Sequence, residues 1–240
     1  GEGGRKGAIY AESQIGELAS GRGWYLKVLH ASTPSPDAAR RAGERMVETG
    51  DICALVGGIG EGQAEVLSEI AENARIPFFN VGSSRDALRH AGCSRYTFHI
   101  EASEAMYLDV LVKWYASRGL VRWSVVYENS EHGRALHARS LRAISRHGLG
   151  GEAVGSVSVF DGQPDYRREI DAIRSSSPDV ILLLANEIDQ ISIMGQLESA
   201  GFDVPAVTFP TGISQTRDYL SAVRKYLPAT NPRNRVALWE

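Results

Sequence analysis

Seven short apolar runs begin near Ile52, Pro77, Thr97, Trp123, Val154, Val180 and Pro205, and most gaps between them hold residues whose apolar positions recur at helical spacing. An interval of about 20 to 30 residues is the length of one strand-helix unit. Parallel strands need such crossovers, and a sheet covered by helices on both faces turns its strands into continuous apolar runs rather than alternating ones. The pattern therefore predicts a parallel α/β protein and leaves little room for long repeats or a disordered chain. Ser35 is a good N-cap, Pro36 suits the first helical position, and Ala38, Ala39, Ala42, Met46 and Val47 mark a helix to Thr49. Ile52 to Val56 reads as a strand buried on both faces, closed by Gly57-Gly58. Val66, Leu67, Ile70, Ala71 and Ala74 line the next helix, and further strands follow at Pro77 to Asn80 and Thr97 to Ile100.

Downstream, Met106, Tyr107, Val110, Leu111 and Trp114 line a helix behind Ser103, and Trp123 to Tyr127 is a strand. The helix carrying Leu136, Leu141 and Ile144 leads to a strand at Val154 to Val159. Tyr166, Ile170 and Ile173 define a helix before the strand Val180 to Ala185, and Ile188, Ile191, Met194 and Leu197 define the helix after it. Pro205 to Phe209 closes the series. Trp114, Trp123 and Trp239, with Phe78, Phe79 and Phe98, follow these periods and read as core residues.

The 240 residues fit one large domain or two modest ones, and 43% apolar with 23% charged residues are ordinary globular values. A net charge of −3 and a pI near 6.1 do not suit a nucleic-acid binder, which needs a basic face. No apolar run approaches the roughly 20 residues of a bilayer span, so no direct membrane insertion is expected. The start of the chain shows no basic and apolar leader. Cys53 and Cys93 belong to no CxxC or metal-ligand spacing and read as unpaired thiols, with a disulfide between them as the alternative.

Ligands of such sheets bind beyond the carboxyl ends of the strands, where loops turn and helix N-termini present free N–H groups. These exit loops read Gly57-Gly-Ile-Gly-Glu-Gly62, Val81-Gly-Ser-Ser84, Glu128-Asn-Ser-Glu-His-Gly133, Asn186-Glu-Ile-Asp189 and Pro210-Thr-Gly212. The glycine run lacks the Lys and Ser/Thr of a phosphate loop, and its spacing is not GxGxxG. No G-x-S-x-G elbow, HExxH or deaminase pattern occurs. No catalytic set, metal site or cofactor is expected. His30, His99 and His147 stand at element ends as structural histidines, whereas His132 lies in an exit loop. Glu61 and Glu187 suit either helix dipoles or the ammonium, amide or hydroxyl groups of a ligand. Arg134, Arg139, Arg142 and Arg146 recur at nearly helical intervals as a solvated face, with protein docking as the sharper alternative.

Leu55-Val-Gly-Gly-Ile-Gly-Glu-Gly-Gln63, Ala74-Arg-Ile-Pro-Phe-Phe-Asn-Val-Gly-Ser-Ser84 and Trp123-Ser-Val-Val-Tyr-Glu-Asn-Ser-Glu-His-Gly133 stand in this order, followed by Pro178-Asp-Val-Ile-Leu-Leu-Leu and Ala200-Gly-Phe-Asp-Val-Pro. Through most of its length the chain thereby resembles type I periplasmic binding proteins of the branched-chain amino acid (Leu/Ile/Val) ABC-transporter class. The resemblance implies two doubly wound parallel-sheet lobes joined by crossover strands, a non-enzymatic protein of the periplasm or another extracytoplasmic space. Such a protein closes on a small polar ligand like a hinged trap and delivers it to a membrane ABC permease. It also implies a first lobe over 1–102, a second over 103–225 and the start of a return segment over 226–240. By that likeness the fold is incomplete at both ends: a helix at Lys6 to Ala19 and an edge strand at Tyr25 to Leu29 open the chain without the first central strand. A ligand-sensing domain of a receptor or regulator with the same fold is the alternative, and an α/β enzyme is the third reading.

Carried over residue by residue, the resemblance assigns ligand contacts to Gly60, Glu61, Gly62, Gly82, Ser83 and Ser84 in the first lobe. In the second it assigns His132, where relatives often place an aromatic, then Asn186 or Glu187, and Thr211. Amino-acid binders generally offer a small hydroxyl residue at the position of Glu61 and an acid near that of Thr211. At an effective dielectric of about 20, two like charges about 4 Å apart repel by about 4 kcal/mol, more than a typical hydrogen bond returns. Glu61 thus disfavours a ligand carboxylate, and the expected ligand is polar and either neutral or cationic: amino-acid-like, amide or cation.

Overall fold

A computed structural model of the chain describes residues 2–60 and 62–209. It divides into two compact units, one ending at Glu101 and the other beginning at Ala102. The first unit runs α1 (Glu2–Ser20), α2 (Pro36–Glu48), β1 (Leu55–Gly57), α3 (Gln63–Ala74), β2 (Phe78–Asn80), a 3-10 turn (Asp86–Arg89) and β3 (Thr97–His99). Its strands are parallel in the order β1-β2-β3, with Leu55, Phe78 and Thr97 in register. Ser35 caps α2 by accepting from the Ala38 N–H at 3.2 Å, and Pro36 opens the helix as expected. Leu55, Ala64, Ile70, Ala71, Phe78 and Leu88 form the core of this unit.

Two expectations fail here for one physical reason, the supply of strand partners. The run Ile52 to Val56 is a strand only from Leu55, and Val56 is 67% exposed rather than doubly buried. β1 stands at the edge of its sheet among the described residues, with β2 as its neighbour. Tyr25 to Leu29 forms no strand; Tyr25 is 91% exposed, and the Val28 N–H donates to a carboxylate oxygen of Glu12 on α1 at 3.0 Å. An extended segment without a paired strand satisfies its backbone through side chains and water.

The second unit runs α4 (Glu104–Ala116), β4 (Arg122–Glu128), α5 (Glu131–His147), β5 (Glu152–Val159), α6 (Arg167–Ser176), β6 (Val180–Leu184), α7 (Glu187–Ser199) and β7 (Ala206–Thr208). Its four parallel strands lie in the order β5-β4-β6-β7. All five residues of β6 are buried, and they alternate between two cores. Ile181 and Leu183 pack with Val126 against Ile170, Ile173, Ile193, Met194 and Leu197 of α6 and α7. Val180, Leu182 and Leu184 pack with Trp123 and Val125 against Leu108, Leu111, Tyr115, Leu136 and Ile144 of α4 and α5. Helices thus cover both faces, the condition that a continuous apolar strand requires.

The seam of α4 is rotated from the expected one. Leu108, Leu111, Val112 and Tyr115 are buried, whereas Met106, Val110 and Trp114 are exposed, as is Ile188 on α7. Apolar residues surround α4 on most sides, so the packing against α5 and the sheet selects the buried stripe. Trp114 instead lies under the Arg118 guanidinium at 3.4 Å, and the exposed Phe98 stacks on Phe79 with centroids 5.5 Å apart. Trp239 and the segment 226–240 lie outside the described residues. Cys53 and Cys93 are exposed and unpaired.

Candidate functional site

At the exit end of the first sheet, the loops after β1 and β2 meet backbone to backbone. A Cβ added to Gly82 would stand 2.7 Å from the Ile59 Cα and 2.8 Å from the Gly58 carbonyl oxygen, so the contact admits glycine alone. Gly58, Gly60 and Gly62 hold φ of 91°, 123° and 70°, a region that disfavours any side chain. Gln63, the first residue of α3, secures this turn: its amide donates to the Thr33 carbonyl at 2.6 Å and accepts from the Thr33 hydroxyl at 3.0 Å.

Asn80, fully buried at the end of β2, shapes the following loop. Its Oδ1 accepts from the N–H groups of Gly82 and Ser83 at 3.2 and 2.9 Å, and its Nδ2 donates to the Ser83 carbonyl at 2.8 Å. The same Nδ2 meets His99 Nδ1 at 3.0 Å. Burial, then the positive charge of Arg89, holds the His99 imidazole below its ordinary pKa. Gly60, Gly62, Gly82, Ser83 and Ser84 therefore gather at one end of one sheet, with both serines half-buried. Glu61 lies outside the described residues.

At the exit end of the second sheet, Ser130 caps α5 by accepting from the Gly133 N–H at 3.0 Å. A Cβ on Gly133 would fall 2.0 Å from the Glu128 carbonyl oxygen, so the helix start presses directly on the end of β4. His132, exposed in this turn, places Nε2 3.3 Å from Oε1 of Glu104 at the start of α4. Asn186 caps α7 by accepting from the Asp189 N–H at 3.0 Å, and its Nδ2 donates to Asp161 Oδ1 at 2.5 Å and Asp189 Oδ2 at 2.7 Å. Asp189 is 1% exposed, and its two oxygens accept the Gly162 N–H at 3.0 and 3.2 Å. Burial, followed by the neighbouring Asp189, pushes the Tyr166 hydroxyl well above the usual tyrosine range. Glu187 is the half-buried first residue of α7. Thr211 lies outside the described residues.

In the first unit the described members of the assigned set stand in the two neighbouring loops after β1 and β2, and in the second His132 stands at the start of α5 and Asn186 and Glu187 at the start of α7. The Asn186 amide spans two carboxylates and so serves as a scaffold for this end of the sheet. The residues that reading by motif missed are Thr33, Gln63, Asn80 and His99 in the first unit and Asp161 and Asp189 in the second. The Asn-x-x-Asp spacing of 186 and 189 is a capping signal that points to Asp189. Nothing local marks Asp161 or Thr33, whose partners are 25 and 30 residues away. Glu128, Glu131, Asp161 and Glu187 give the second exit end an acidic surface, with the buried Glu104 and Asp189 engaged beneath it. Such a surface attracts cations and N–H donors and opposes anions. No three His, Cys, Asp or Glu side chains among the described residues converge as metal ligands. No helix among them is long and apolar enough to cross a membrane.

The sequence of the periplasmic binding protein family matches residues 31–221, and the chain belongs to that family. Leu/Ile/Val-binding protein homolog 7 of Brucella abortus (strain 2308) is 20% identical over 211 residues, covering 84% of this chain and 52% of the relative. The homolog from Brucella suis biovar 1 matches to the same extent. The chain spans about half the length of the curated relatives it matches. A branched-chain amino acid ABC transporter periplasmic ligand-binding protein from Burkholderia xenovorans superposes with a TM-score of 0.78 at 18% identity, covering 85% of this chain and 56% of that one. A solute-binding protein of an R. palustris ABC transporter, solved with benzoate, gives 0.70 at 16% identity, covering 91% and 59%. The resemblance to the branched-chain amino acid class and its parallel α/β fold is borne out. Family and fold are those of binding proteins rather than enzymes, and the family implies an extracytoplasmic location.

Proposed function

We infer that the chain is part of an extracytoplasmic solute-binding protein that captures a small polar ligand by hinge closure and delivers it to an ABC permease. The observation that carries this reading is the placing of polar groups at the strand-exit end of each unit: the glycine- and serine-rich loops of Gly60, Gly62, Gly82, Ser83 and Ser84 in one, and the helix starts that hold His132, Asn186 and Glu187 in the other. Glu61 and Thr211 complete the proposed set. Loop N–H groups and hydroxyls complement polar ligand atoms, and family membership supports the transport role.

The ligand we favour is neutral or cationic. The R. palustris neighbour holds benzoate, an anion, whereas the exit loops here carry Glu104, Asp161, Glu187 and Asp189, with Glu61 in the glycine turn. Native mass spectrometry of the purified chain should reveal a co-purified molecule rich in N–H donors, and calorimetry with that molecule should show Glu61→Gln weakening affinity more than about tenfold. An unaltered affinity would remove Glu61 from the site. A radius of gyration that does not change when that molecule is added would overturn the hinge reading.

A further inference from the structure

We propose that His99 and Asn80 form a positioning pair that holds the Gly82-Ser83-Ser84 loop in its binding shape only while the His99 ring is neutral. The ligand role of that loop rests on the function proposed above, but the coupling itself does not. β2 and β3 are parallel neighbours whose register sets Asn80 directly beside His99. The orientation of the Asn80 amide is fixed by its surroundings: Oδ1 faces two N–H donors, Gly82 and Ser83, so Nδ2 must face the Ser83 carbonyl and His99 Nδ1. An amide nitrogen has no acceptor capacity, so Nδ1 must be the acceptor and carry no proton.

The backbone of Leu88 hydrogen-bonds His99 and by itself favours the protonated ring, but burial and the facing positive charge of Arg89 in the 3-10 turn weigh more and favour the neutral one. Arg89 is held in place, donating to the carbonyls of Arg85 at 3.1 Å and Glu101 at 2.5 Å. A second proton on the ring would set N–H against N–H at Asn80 and add a positive charge beside Arg89. Asn80 would then have to turn or withdraw, and its three bonds to residues 82 and 83 would go with it. His99 acts through Asn80 and touches no ligand atom itself.

The test needs no ligand. In an isotope-labelled sample of the chain at neutral pH, the nitrogen shifts of His99 should report an unprotonated Nδ1. On acidification, the amide signals of Gly82 and Ser83 should titrate with the His99 midpoint, and their exchange protection, corrected for intrinsic rate, should fall about tenfold. His99→Gln, whose side-chain oxygen can accept from Asn80, should keep the loop shape and abolish its pH dependence. His99→Ala should show the loosened loop at every pH. A ring protonated on Nδ1 at neutral pH, or Gly82 and Ser83 amides that stay still while His99 titrates, would overturn the proposal. The wild-type titration decides the matter even where a variant does not fold, and its failure leaves the solute-binding reading untouched.

Discussion

The carboxylate of Asp189, on the first turn of α7, grips the backbone N–H of Gly162 with both of its oxygens, at 3.0 and 3.2 Å. The loop after β5 is therefore tied to the helix after β6 by a buried charge that also receives the Asn186 amide. Removing that charge takes the acceptor from the Gly162 N–H and one of two acceptors from the Asn186 amide, whose bond to Asp161 remains. Asp189→Ala should lower the unfolding free energy by about 2–4 kcal/mol in urea titration at neutral pH. A loss under about 0.5 kcal/mol would show that the tie adds nothing to stability.

Gly82→Ala should cost about 1–3 kcal/mol, because two of the three atoms its methyl meets, the Ile59 Cα and the Gly58 carbonyl oxygen, are backbone and must move. Gly7→Ala is the control. Its Cβ would enter open space on α1, where alanine outranks glycine as a helix former, so the change should be neutral or stabilising by up to about 1 kcal/mol. Thermal unfolding of the two variants side by side reads the difference.

Acid should weaken the second unit through His137 as well as the first through His99. His137 stacks on Tyr127 at 4.2 Å and bonds Ser156 Oγ at 2.8 Å, and burial lowers its pKa. A depressed pKa means that the unfolded chain binds the proton first as pH falls. Stability is therefore fully present above about 6.5, the unfolded value, and is lost as pH falls from there through the folded value. Urea midpoints should drop between pH 7.5 and 5, and His137→Gln should flatten part of that slope. An equal slope in the variant would exclude His137 as a contributor.

Two tryptophans read alike in the sequence should behave oppositely. Trp123 is fully buried and meets Tyr115 edge-on at 5.9 Å, so Trp123→Ala should cost about 3–5 kcal/mol. Trp114 is exposed under Arg118, and Trp114→Ala should cost about 1 kcal/mol or less. Denaturant unfolding of the two variants checks the contrast.

That contrast marks where the sequence could be read and where it could not. Strand identity was legible in the second unit because β4 and β6 are covered on both faces, so apolar runs and structure coincide from Trp123 to Leu184. It was misleading in the first, where Val56 reads as a doubly buried position and Tyr25 as the start of an edge strand, yet both are exposed. The helix α4 exceeded what periodicity can resolve, since several stripes were equally apolar. Within the candidate site, glycine and serine loops announced themselves by composition. Gln63 and Asp161 did not, because they take their meaning from partners 30 and 25 residues away, and Asn80 did not, because its burial beside His99 depends on the pairing of β2 with β3.

β6 adds a mechanical point. Its five side chains are buried alternately on opposite faces, and the chain passes from Leu184 through Ala185 to the helix-capping Asn186 within two residues. Sliding the strand inward by two positions would drag the Asn186 amide, with its bonds to Asp161 and Asp189, into hydrocarbon. Sliding it outward would draw Leu184 into water. The strand works as a depth stop, and the height at which the acidic loops stand above the sheet is set by where leucine gives way to asparagine. Substitutions in the loops beyond that stop leave the level of the platform beneath them unchanged.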